Sequence, residues 1–203
     1  METIVTLKIT LIRAKPPIWR RLEVPALYNL GELHSTLNAA MGWLDCHLHQ
    51  FDVGERKYSI SDDDIWIDVD PPLPEESVTL ADLVRAGVKR FGYWYDFGDS
   101  WRHDVVIEKT APAEKCVFYP RCVAGARACP PEDVGGAPGY AVFLDAIADP
   151  RHAEHAEQIL WLEEVYGADE LDPEAFDAEA VSRLLRIAAT GELAADDLYF
   201  FDA

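Results

Sequence analysis

A chain of 203 residues with 37 Asp and Glu against 18 Lys and Arg carries a formal charge of −19, which opposes association with a polyanion such as duplex DNA. A hydrophobic share of 49% and an aromatic share of 11% exclude a disordered chain. A domain of this length buries roughly 70% of its unfolded surface and needs no staple, while no apolar run approaches the roughly 20 residues of a membrane helix. The N-terminus has no basic, apolar and small-residue signal, so the expected location is the cytoplasm.

The charge is uneven. Residues 131–203 hold 3 of the Lys and Arg but 18 of the Asp and Glu. The expected organisation is one domain over residues 1–203. Residues 1–110 form a sheet-rich part, 111–139 an irregular Cys/Pro/Gly loop, and 140–190 an acidic helical part.

In chain order, Val5, Leu7, Ile9 and Leu11 alternate with polar residues, a strand with one buried face. Ala14-Lys-Pro-Pro breaks it. Ile18 to Val24 returns as a second strand, with Trp19 and Arg21 opposite Ile18, Leu22 and Val24. Asn29 caps a helix with Leu30, Leu33, Leu37 and Met41 on one stripe and Gly42 at its end. His34 lies one step from that stripe.

His47–Val53 and Arg56–Ile60 flank a Gly54-Glu55 turn, a hairpin signal. The acidic, Pro-rich stretch 62–74 includes a short strand near Ile65–Val69. Thr79 caps a short helix, Leu80 to Ala86, closed by Gly87. Phe91–Phe97 and Ser100–Lys109 form a second hairpin, with Trp101, His103, Val105 and Ile107 on one face. Tyr140–Ala148, His152–Tyr166 and Pro173–Thr190 read as helices. Strands first and helices late give an α+β class. The sheet is mainly antiparallel, with a helix after the first hairpin and a helical layer at the C-terminus.

Phe91-Gly-Tyr-Trp-Tyr-Asp-Phe-Gly-Asp-Ser-Trp-Arg-His103 gathers aromatics, carboxylates and a histidine at one turn. A turn at Phe97-Gly98 brings Asp96 and Asp99 together, and paired carboxylates suit general acid–base chemistry; the bland alternative is backbone capping. With His103 they are the candidate catalytic groups. His103 follows Asp99 by about 13 Å of strand, so these two meet only across a bend or a bridging group. His47 and His49, spaced H-x-H on a strand, share a face and can hold one divalent metal. The alternative is packing beside Trp43 and Phe51.

Other motifs are incomplete. Asp96-Phe-Gly98 has no phosphate loop or H-R-D partner, and Ser100 has no G-x-S-x-G elbow. Asp62, Asp64 and Asp68 fail as a calcium loop because Trp66 takes a ligand position. Cys46, Cys116, Cys122 and Cys129 contain no close pair of the zinc-ribbon type; the last three share one stretch open to metal binding or oxidation. Pro130-Pro-Glu-Asp-Val-Gly-Gly136 places two acids before a flexible turn. His152 and His155, with Glu154 and Glu157, sit at a helix start.

Several segments together resemble the plasmid pRi ORF-three-like family over about residues 3 to 190. They are Lys15-Pro-Pro-Ile-Trp-Arg-Arg-Leu22, Leu33-His34, Ala40-Met-Gly-Trp43, His47-Leu-His49, Tyr95-Asp-Phe-Gly-Asp-Ser-Trp101 with His103, and Cys122. Cys129-Pro-Pro-Glu-Asp-Val-Gly-Gly136, Gly139-Tyr140 and Phe176-Asp177 complete the set. The resemblance implies a bacterial or archaeal protein associated with plasmids and transposons, with an α+β fold built on an antiparallel sheet. Members are sometimes labelled TnpR-like resolvases or transposon passenger proteins, but this sequence lacks the serine-nucleophile, arginine-rich pattern of serine resolvases. The family carries no established catalytic residues across.

Three readings follow. The first is a non-enzymatic binding or accessory module for a protein or small molecule, its cleft lined by Trp19, Trp43, His47, His49, Asp96, Asp99, Trp101 and His103. The second is a metal-dependent hydrolase or nuclease, with His47, His49 and His103 on a divalent ion and Asp96 or Asp99 completing the shell. The third is a DNA-associated recombination accessory protein, supported only by Arg13, Lys15, Arg20 and Arg21 and disfavoured by net charge.

Overall fold

The computed structural model describes residues 2–61, 71–168 and 170–190. Eight strands form one sheet: β1 (Thr3–Leu11), β2 (Trp19–Pro25), β3 (His49–Val53), β4 (Arg56–Ser59), β5 (Leu73–Pro74), β6 (Arg90–Tyr95), β7 (Trp101–Pro112) and β8 (Arg121–Ala126). Their order is β5-β4-β3-β6-β7-β1-β2-β8, antiparallel throughout except β4 with β5. Five helices accompany it: α1 (Leu30–Met41), α2 (Leu80–Arg85), α3 (Gly136–Ala148), α4 (His155–Tyr166) and α5 (Ala178–Thr190). The fold is α+β, with a mostly antiparallel sheet.

Period two decides which face of the sheet is buried. Leu7, Ile9 and Leu11 of β1, Leu22 and Val24 of β2, and Trp101, His103 and Val105 of β7 all point inward. A bulge keeps this phase: Thr6 pairs with Lys109 but Leu7 pairs with Ile107, so Glu108 is the extra residue and Ile107 stays on the inner face. The stripe of α1 closes over that face. Asn29 accepts from the Glu32 amide while the Glu32 carboxylate accepts from the Asn29 amide, and Gly42 ends the helix in the left-handed region at φ 79.

Three differences from the sequence reading have local causes. The stretch 111–139 contains β8, which pairs with β2 at the sheet edge. Its sequence, Arg-Cys-Val-Ala-Gly-Ala, buries only Cys122 and so shows no period. Helices α3, α4 and α5 begin at Gly136, His155 and Ala178 rather than at Tyr140, His152 and Pro173. The strand expected near Ile65–Val69, with Asp62, Asp64, Trp66 and Asp68, lies outside the described residues.

Among the described residues no group of side chains that could share a metal contains two cysteines. Cys129 accepts from Arg20 and lies 3.1 Å from the Met41 sulfur, Cys122 faces the Ala124 carbonyl, and Cys116 is exposed. Within the basic group, the two neighbouring arginines point to opposite faces of the sheet. Arg20 points into the core, whereas Arg21 on the outer face pairs with Glu108 at 2.7 Å. No helix among the described residues is long and apolar enough to cross a membrane.

Candidate functional site

The site lies where β3 pairs with β6 and α1 crosses their inner face. His49 stands opposite Tyr95 in the ladder, and Tyr93 stands opposite His103. From α1, His34 places its ring on that of His49, with centroids 3.3 Å apart and planes within 9°. Each imidazole in the stack is tied to a carboxylate. His34 Nε2 lies 2.6 Å from Asp45 Oδ1, and His49 Nε2 lies 2.5 Å from Glu75 Oε2. His34 Nδ1 contacts the Tyr93 hydroxyl at 2.7 Å, and the Asn38 amide donates to that same hydroxyl at 3.0 Å.

Burial lowers the His34 pKa, Asp45 works against that shift, and the proximity of His49 adds to it. Burial also raises the Tyr93 phenol, which stays protonated.

An open cleft of about 510 Å³ gives access to these groups. Its wall includes His34, His49, Asp45 and Glu75, with Glu32 and Glu76 beside them. Asp45 and Glu75 are not named by the sequence, and His34 stands there beside the apolar stripe of α1 and in a family segment but not as a site residue. His34 had a signal, since a histidine one step from an apolar stripe and four residues before Asn38 has a polar neighbour on its own helix face. Asp45 and Glu75 had none, because their roles arise from pairings across the fold.

A second polar focus sits at the start of β3. His47 lies in the bend before the strand, not on it, so the H-x-H pair does not converge. His47 packs edge-on against Tyr95, and its Nε2 faces Asp133 Oδ1 at 3.5 Å and Asp96 Oδ2 at 3.8 Å. Asp96 adopts φ 52, and its Oδ1 accepts from the Gly98 amide at 2.8 Å. Below this focus, Glu132 is 5% exposed and accepts from the Tyr95 hydroxyl at 2.6 Å and the Leu44 amide at 2.9 Å. The Glu132 amide in turn donates to the Tyr166 hydroxyl on α4. Burial and Glu132 together raise the Cys46 thiol.

Asp96 and Asp99 do not act as a pair. Asp99 turns away to accept from the Gly135 amide at 3.0 Å. A Cβ on Gly136 would stand 2.2 Å from the Asp99 carbonyl oxygen, so the 130s loop closes directly on the β6–β7 turn.

The indoles support the cleft from beneath rather than lining it. Trp43 is 3% exposed, stacks on Tyr95 at 5.1 Å, lies 5.7 Å from Trp101, and donates to the Pro130 carbonyl at 3.0 Å. Trp101 is fully buried. Trp19 is on the other face of the sheet, between Lys8 and Arg21, because period two sends odd-numbered residues of β2 outward.

His103 belongs to neither group of described side chains that could share a metal. It is 1% exposed, packed between Trp43 and Tyr93, and neither ring nitrogen has a partner of hydrogen-bonding geometry. Burial pulls its pKa down to about 4, although the backbone of Tyr93 and Trp101 acts in the opposite direction. Among the described residues, the side chains close enough to share one metal are Cys46, His47 and Glu132, or His47, Asp96 and Asp133. The expected set of His47, His49 and His103 is not brought together. At the later helix start, His155 contacts the Ala146 carbonyl at 3.0 Å, and His152 accepts from the Glu154 amide.

An antiparallel sheet with helices on its inner face and a buried histidine–tyrosine–carboxylate network defines an α+β protein with a polar cleft at one end of the sheet. The chain belongs to the plasmid pRiA4b ORF-3-like protein family, which it matches over residues 3–180. It is 41% identical over 162 residues to the uncharacterized protein y4hQ of Sinorhizobium fredii (strain NBRC 101917 / NGR234), covering 79% of this chain and 81% of that protein. A protein of unknown function from Methanosarcina mazei Go1, known from its crystal structure, superposes with a TM-score of 0.79 at 37% identity, over 90% of this chain and 99% of that one.

Proposed function

We propose that this member of a plasmid-related family is a non-enzymatic binding or accessory module whose cleft takes a small ligand bearing an amine or another cationic, hydrogen-bond-donating group. One observation carries the reading. The cleft wall presents Glu32, Asp45, Glu75 and Glu76 beside His34 and His49, with no Lys or Arg among its described lining residues. Such a wall offers acceptors and negative potential to a donor and repels phosphate.

Binding fits the wall better than chemistry does. Both His34 nitrogens are engaged by protein partners, and Ser35, a hydroxyl in the lining, faces the Gly31 carbonyl of its own helix. The aromatic floor of Trp43, Tyr95 and Trp101 holds the wall rigid, which lowers the ordering cost of binding.

The test is a thermal-shift screen of monoamines, diamines and cationic amino acids against nucleotides and sugar phosphates. Amines should raise Tm in a dose-dependent way, and Glu75→Gln should abolish the shift. A response to phosphates instead, or turnover of simple ester or phosphoester substrates, would overturn the proposal.

A further inference from the structure

We propose that His47 Nε2, Asp96 Oδ2 and Asp133 Oδ1 form a site for one divalent transition-metal ion, with Zn²⁺ preferred, at the rim where the 130s loop meets the β6–β7 turn.

The distances carry this inference. His47 Nε2 lies 3.5 Å from one carboxylate oxygen and 3.8 Å from the other, beyond the 2.7–3.2 Å of an ordinary hydrogen bond. Zinc bonds of about 2.1 Å set tetrahedral ligand atoms about 3.4 Å apart, close to both separations. The same Nε2 is shielded from solvent and has no hydrogen-bond partner. A buried imidazole nitrogen in that state is costly unless something else satisfies it.

The surroundings are preorganised. Tyr95 packs edge-on against the His47 ring and ties the same loop to Glu132. Asp96 uses one oxygen for the Gly98 amide and presents the other to His47. On the far side Asp133 is 71% exposed, which leaves a route in and a fourth position for water or a ligand atom. Glu132 has both oxygens engaged by Tyr95 and Leu44, so it braces the loop. One imidazole and two carboxylates favour zinc over manganese, and manganese over magnesium.

Isothermal titration of untagged, chelator-stripped protein with ZnCl₂ tests the site. The expected result is one saturable ion per chain. His47→Ala and the exposed Asp133→Asn should each weaken binding by at least about tenfold, and His152→Ala should leave it unchanged. Mg²⁺ should bind more weakly than Zn²⁺. No saturable binding, or wild-type affinity in both His47→Ala and Asp133→Asn, overturns the site. With Co²⁺ bound, a sulfur-to-metal charge-transfer band lost in Cys46→Ser would also overturn it, because the ligands would then be Cys46, His47 and Glu132. Far-UV circular dichroism of each variant separates lost ligation from lost folding.

Discussion

The two ends of the sheet's inner face both bury groups that would rather be in water, and they resolve the problem differently. At the β2–β8 end, Arg20 is 4% exposed and donates to the carbonyls of Ala40, Trp19 and Ala126 and to the Cys129 sulfur, with the Phe176 ring 4.8 Å away. At the β3–β6 end, His34 and His49 hand their nitrogens to carboxylates beside an open cleft. Backbone carbonyls cannot titrate or be exchanged, so the arginine serves as a tie. Carboxylates can accept from an incoming donor as well, so the histidine end remains addressable from outside.

The comparison breaks most sharply at Arg20. Arg20→Met should lower the unfolding free energy by about 3 to 4 kcal/mol, since several acceptors are left buried and unpaired. Urea melts measure this; a loss under about 1 kcal/mol would show that the tie is idle.

His103 comes next. Its folded pKa, about 4, lies below the ordinary imidazole value of about 6.5. The unfolded chain therefore binds the extra proton first, and stability falls as pH drops from about 6.5 to about 4, by on the order of 3 kcal/mol. His103→Phe should flatten that decline in urea melts run between pH 7 and pH 4.5. His34, also lowered, keeps a residual slope of the same sign.

Glu75→Gln keeps the shape of the side chain but removes the charge facing His49. The expected loss is about 1 to 2 kcal/mol by thermal melts, together with the amine response. A larger loss without any change in amine binding would make the pair purely structural. The smallest effect belongs to Trp19→Ala. Its outer-face contacts with Lys8 and Arg21 are worth about 0.5 to 1 kcal/mol, and the amine response should be intact.

Local chemistry made much of the fold legible. Asn29 and Gly42 bound α1 as their side chain and backbone freedom dictate, and the Gly54-Glu55 turn sits between β3 and β4. Strand β8 was hidden because an edge strand with small residues needs no alternation. Gly125 is small for a reason no sequence pattern reveals: a Cβ there would lie 2.4 Å from the Phe176 ring.

The site was legible only as a neighbourhood. The H-x-H spacing of His47 and His49 implies a shared face only if both residues lie on the strand, and β3 begins at His49. Trp19 could have been excluded from the cleft by the same period two that buried Leu22. Glu75 has no signal in the sequence and Asp133 stands there only as one of two acids before a flexible turn, since each meets its histidine through sheet and loop placement distant in the chain.

The contact between Gly136 and Asp99 has a wider consequence. Because a methyl group at position 136 would collide with main chain rather than with a movable side chain, no side-chain movement relieves it. The main chain of the 130s loop or of the β6–β7 turn must then shift, and these two segments carry Asp133 and Asp96. A substitution at position 136 would thus disturb the proposed metal site without changing any of its three ligands.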